Sequence, residues 1–148
     1  MGGQPRRRTD ESAPRLVIGF DYGARHIGVA VGQTLTGTAT ALGTVEVRRS
    51  QPDWSTLERV VAEWQPDALV VGDPLNMDGT AQPMTRAARR FGRRLAARFR
   101  LPVFAADERL STREARWRMA AASPRETDHS LAAQVILETW LETWRSTS

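Results

Sequence analysis

Lysine is absent from this 148-residue chain. All 21 basic side chains, from Arg6 to Arg145, are arginine, and against 17 acidic residues they leave a formal net charge of +4. A guanidinium stays charged in any surroundings and offers phosphate a planar fork of donors, so an all-arginine surface suits nucleic-acid contact; a codon bias toward arginine produces the same composition. Cysteine is absent too. That excludes a disulfide framework, a thiol nucleophile and cysteine-ligated zinc or iron–sulfur centres. Only His26 and His129 supply imidazoles, which excludes a histidine-rich metal cage. No apolar run approaches membrane-spanning length, and the N-terminus shows no apolar signal segment, so the expectation is a soluble, cytoplasmic protein with no membrane partner. With hydrophobic residues at 41%, the chain can build the core of one domain.

Residues 1–14 carry Gly2, Gly3, Pro5, Pro14 and Arg6-Arg7-Arg8 and read as a flexible arm before a single domain over 15–148. Leu16 to Asp21 is a short apolar run of the kind that makes a buried strand and ends on a carboxylate. After the turn Tyr22-Gly23-Ala24-Arg25, Ile27 to Gly32 makes a second strand, and Thr38 to Val47 closes an antiparallel meander. Asp53 or Ser55 caps a helix that carries Leu57, Val60, Val61 and Trp64 at helical spacing and ends at Pro66. Ala68 to Val71 is a fourth strand, Met84 to Phe99 a helix, and Val103 to Ala106 a fifth strand. Ser111 caps a helix to about Ala122, and Asp128 opens the last helix, to about Trp144. This order predicts an α/β fold of ribonuclease H-like architecture. Its five-stranded mixed sheet has three antiparallel strands followed by two parallel ones and is flanked by helices, with the site at the carboxyl ends of strands one and four.

Asp21, Asp73, Asp107, Glu108 and Asp128 all fall at strand ends or a helix start that this topology brings to one edge. Taken singly, each has a plain structural reading as a turn-former, a helix cap or half of a surface ion pair. Together, with no lysine between them, they repel one another unless a divalent cation intervenes, and hard oxygen ligands select Mg2+ or Mn2+. Such ions activate water and stabilise the leaving oxygen in phosphodiester cleavage, which points to a nuclease. His26 reads as a strand-end residue and His129 as part of a helix start, rather than as catalytic groups.

The charge is polarised. From Arg86 through Arg118 there are 11 arginines and only three acids, a segment of +8 in a chain that is otherwise −4. Arg25 with Arg86, Arg89, Arg90, Arg93 and Arg94 are the candidate phosphate contacts beside the carboxylate edge.

Four strings, in this order and at these separations, resemble the YqgF or RuvX family. They are Asp21-Tyr22-Gly23-Ala24-Arg25-His26-Ile27-Gly28-Val29-Ala30; Val71 through Gly79; Asp107-Glu108-Arg109-Leu110-Ser111-Thr112; and Asp128 followed by Ala132-Ala133 and Ile136-Leu137. The resemblance spans about Arg15 to Trp144. It implies a ribonuclease H-like, RuvC-related fold and a magnesium-dependent nuclease that trims the 5′ end of the 16S ribosomal RNA precursor. On it, Asp21, Glu108 and Asp128 carry over as catalytic metal ligands, with Asp73 and Asp107 as further candidates. Arg109, Ser111 and Thr112 carry over as signature residues near substrate. The family usually has leucine where Asp73 stands and a lysine-bearing loop before the last aspartate; here Arg125 and Glu126 occupy that segment, which makes Arg125 a candidate phosphate contact. The implied partners are structured RNA and the ribosomal precursor, with the protein a monomer or weak homodimer. Two alternatives stand beside this reading: resolution of branched DNA, and a non-catalytic nucleic-acid-binding assembly factor.

Overall fold

The computed structural model describes residues 14–108 and 129–147. Outside them lie most of the N-terminal arm, the helix expected from Ser111, and Arg109, Ser111, Thr112, Arg125 and Asp128. The described elements are β1 (Leu16–Tyr22), β2 (His26–Gln33), β3 (Thr38–Arg48), β4 (Gln51–Pro52), α1 (Trp54–Trp64), β5 (Ala68–Asp73), α2 (Pro83–Phe99), β6 (Val103–Asp107) and α3 (His129–Thr147).

These strands form one sheet in the order β4-β3-β2-β1-β5-β6. The first four pair antiparallel in sequence, whereas β5 runs parallel to β1 and β6 parallel to β5. The expected mixed sheet is therefore present, with six strands rather than five. The extra one is the two-residue β4, which pairs with Val47 and Arg48 after a turn in which Arg49 and Ser50 both adopt positive φ. A hairpin this tight needs that backbone, and the sequence supplies neither Gly nor Asn to announce it. Pro52 is tolerated because β4 is an edge, where one missing N–H leaves no ladder bond unmade.

Alternation along the strands divides the core in two. Ile18, Phe20, Ile27, Val29, Leu69 and Val71 face α1 and α2, and pack with Leu57, Ala88, Phe91 and Leu95. Val17, Ala30, Ala68, Val70 and Ala106 face α3 and pack with Ala133, Ile136, Leu137 and Leu141. Helix α1 starts at Asp53, whose carboxylate accepts from the Thr56 N–H and hydroxyl. Helix α2 starts at Pro83, where the lost N–H had no helical partner anyway. The buried Thr85 hydroxyl accepts from the Gln82 N–H at 3.0 Å and donates to the Pro74 carbonyl, tying the end of β5 to the first turn of α2. Among the described residues no helix is long and apolar enough to cross a membrane.

Candidate active site

The carboxyl ends of β1, β5 and β6 lie side by side, and each delivers an acid. Because side chains alternate, the sheet plane sorts these acids into two groups. Asp21 follows Val17 and Gly19 on the α3 face, while Asp73 follows Leu69 and Val71 on the α2 face. Asp107, the register partner of Asp73, shares its face. Glu108, one residue further on, returns to the α3 face. A Cβ placed on Gly72 would come within 2.6 Å of Glu108 Oε2 and 2.8 Å of Ile136 Cδ1, so the glycine leaves the space that the glutamate occupies.

On the α2 face Asp73 has a cationic partner. Arg89 donates from Nε to Asp73 Oδ1 and from Nη2 to Asp73 Oδ2, both at 2.9 Å, and Asp73 is almost fully buried. This two-point pairing holds Arg89 above its ordinary guanidinium range.

The α3 face carries charge that is less well compensated. Glu108 is pushed up to about 7, first by its burial and then by the negative charges of Asp21, Asp73 and Asp107. Among the described residues Asp21 makes one polar contact, between His129 Nδ1 and its Oδ2 at 2.7 Å. Among the described residues no three acidic or imidazole groups stand close enough to hold a metal ion together. Asp128, the third expected ligand, precedes His129 in sequence and lies outside the described residues.

The arginines of α2 divide by the face they occupy. Arg98 pairs with Glu58 of α1 at 2.8 Å, and Arg94 donates to Gln51 at 3.1 Å. Both guanidinium groups also lie over the Trp54 ring, at 4.8 Å and 5.0 Å from its centroid. Together with Arg89, these fasten α2 to its neighbours. Arg86, Arg90 and Arg93 point away from the sheet, with no ion pair among the described residues. They form a stripe about 10 Å long on the outer pole of the helix. Arg25 is exposed on the turn after Asp21, and His26 is exposed at the start of β2.

A profile of the RuvX family, described as Holliday junction resolvases, matches residues 15–143. The chain belongs to the RuvX family. Among its relatives is an Azotobacter vinelandii protein, 53% identical over 135 residues that cover 88% of this chain and 95% of that one. A Nitrosococcus oceani protein is 50% identical over 134 residues, covering 88% of each chain. Both carry the name "Putative pre-16S rRNA nuclease". The fold is that of RuvC, ribonuclease H-like. Thermus thermophilus RuvC in complex with a Holliday junction substrate superposes with a TM-score of 0.58 at 18% identity, covering 90% of this chain and 96% of that one. RuvC of the same organism in a second structure gives 0.55 at 17% identity, covering 89% and 97%.

The residue that sequence reasoning passed over is His129. Two signals pointed to it: its position next to Asp128, and the glycines at 23 and 28, which admit the start of α3 against the first two strands.

Proposed function

We propose that this RuvX-family chain is a divalent-metal-dependent nuclease that cuts phosphodiester bonds at the 5′ end of the 16S ribosomal RNA precursor. The observation that carries this reading is the placement of Asp21 and Glu108 on one sheet face, where burial, and then the negative charges of Asp21, Asp73 and Asp107, push Glu108 up to about 7. The names of the relatives supply the substrate. Two partly buried carboxylates at an acid-rich sheet edge suit a hard divalent cation such as Mg2+ or Mn2+. Asp21, Glu108 and Asp128 would hold it, and when bound it would supply an activated water and charge stabilisation at the leaving oxygen. Its charge would favour the ionised form of Glu108, which burial and the neighbouring acids disfavour. The outward stripe Arg86, Arg90 and Arg93 on α2, with Arg25 on the turn after Asp21, holds the phosphate backbone. Arg109, Ser111, Thr112 and Arg125 are further substrate contacts carried over from the family signature and the segment before Asp128. Asp73 and Asp107, on the opposite face, shape the charge of the site.

The family description and the RuvC fold favour a second reading, cleavage of four-way DNA junctions. Incubating the protein with precursor RNA and with a four-way junction, each with and without Mg2+, separates the two. The proposal expects Mg2+-dependent cleavage of the RNA at its 5′ end. Cleavage of the junction alone replaces the substrate, and binding without cleavage of either overturns the nuclease reading.

A further inference from the structure

His129 meets Asp21 because two glycines let it. A Cβ at Gly23 would lie 2.6 Å from His129 Cε1 and 2.8 Å from Nε2, and one at Gly28 would lie 1.7 Å from the His129 carbonyl oxygen. The first turn of α3 is thus seated directly on strand backbone, and one side of the imidazole lies against the turn at Gly23 and the end of β1. Facing a carboxylate at 2.7 Å, Nδ1 carries a proton and donates it to Oδ2. That bond is the only hydrogen bond or ion pair of Asp21 among the described residues, and it engages Oδ2 alone of the two oxygens there.

We propose that His129 is a positioning residue for Asp21: it locks the carboxylate in one rotation, so that Oδ1 is presented to a divalent cation without the entropy cost of a swivelling ligand. This inference rests on the reading of Asp21 as a cation ligand. Hydrogen-bond partners behind a ligand are generally worth about 10–100-fold in metal affinity or activity.

The test is Mn2+ affinity of the full chain, read from the electron paramagnetic resonance of free Mn2+, with thermal melts alongside. The variants are Asp21→Asn, His129→Ala, His129→Asn and His129→Gln. Asparagine places an N–H the same number of bonds from Cα as Nδ1, whereas glutamine places it one bond further. The expected result is loss of binding in Asp21→Asn, roughly 10-fold or more weakening in His129→Ala and His129→Gln, and recovery to within about 3-fold of wild type in His129→Asn. In cleavage assays the same order holds for the Mn2+ concentration at half-maximal rate, while KM for nucleic acid stays constant. Should His129→Ala fail to fold, the Asn and Gln variants decide the matter: equal affinities in those two overturn the positioning role. Wild-type affinity in His129→Ala with none in Asp21→Asn overturns it while sparing Asp21 as ligand. Unchanged affinity in Asp21→Asn overturns both.

Discussion

Arg89 grips both oxygens of Asp73 at 2.9 Å, across the space between the first turns of α2 and the end of β5. The carboxylate is almost fully buried and the guanidinium about half exposed. Removing the cation leaves a buried, unpaired charge next to Asp107 and close to Glu108, whereas removing both partners leaves none. Arg89→Ala is therefore expected to lower Tm clearly, and the double variant Asp73→Leu with Arg89→Leu to recover most of the loss. Equal melting temperatures for the single and double variants would show that the pair does not brace α2.

Glu108 makes stability depend on pH. Its ordinary value is 4.5 and it stands at about 7 in the folded chain, so between those two pH values the folded state holds more protons than the unfolded one. Stability contributed by the protonated group is full below pH 4.5, falls as pH rises, and levels off above 7, a loss of up to about 3 kcal/mol. Glu108→Gln flattens this slope in metal-free buffer and raises Tm at pH 8 relative to wild type, with little effect at pH 4.5. Urea denaturation of both proteins across this range, with and without Mg2+, measures it, and a stability difference between wild type and Glu108→Gln that does not fall from pH 4.5 to 7 contradicts the assignment.

The two sets of arginines on α2 separate affinity from stability. Replacing Arg86, Arg90 and Arg93 by glutamine is expected to weaken RNA binding strongly at low salt and to reduce the slope of log K against log salt by about 2–3. The melting temperature should hold. Replacing Arg94 and Arg98, which lie over Trp54, should instead lower the melting temperature and leave the salt slope nearly unchanged. Filter-binding titrations over a salt series read the first effect and calorimetry the second.

Gly28 seats the last helix. A methyl there would collide with the backbone carbonyl of His129 at 1.7 Å, and neither strand nor helix backbone can turn aside as a side-chain tip can. Gly28→Ala is expected to cost about 3 kcal/mol or more and to loosen α3 from the sheet. Denaturant unfolding checks the magnitude; a loss under about 1 kcal/mol would mean that the helix start lies further from β2.

Much of this was legible in the chain itself, and the parts that were not share a cause. The apolar runs Leu16 to Phe20 and Ala68 to Val71 announced central strands, and Asp53, Pro66 and the stripe Ala88, Phe91, Leu95 announced the helices that cover one face. Period-two alternation over Gln51 and Pro52 is too short to register, so β4 went unseen. Asp21, Asp73, Asp107 and Glu108 share one edge of the sheet, because any acid ending β1, β5 or β6 arrives there, while Asp128 lies outside the described residues. Which side of the sheet each occupies depends on where its strand begins, and one residue of register moves a side chain to the other face. That parity places Asp73 against Arg89 and Asp21 against His129. Composition likewise showed a field of arginines on α2, yet not that three of them are bonded inward and three face outward. The imidazole of His129 meets Asp21 across 108 positions of sequence, a distance that no local pattern spans.

Asp21 stands at the centre of the proposed metal-dependent phosphodiester cleavage. The most direct measurement follows 5′-end processing of 16S precursor RNA by wild type and Asp21→Asn over a Mg2+ titration, with RNA affinity determined on the same preparations. Cleavage by wild type is expected to require Mg2+, and Asp21→Asn is expected to show none at any Mg2+ concentration while keeping RNA binding and melting temperature close to wild type. Undiminished cleavage by Asp21→Asn would contradict that role.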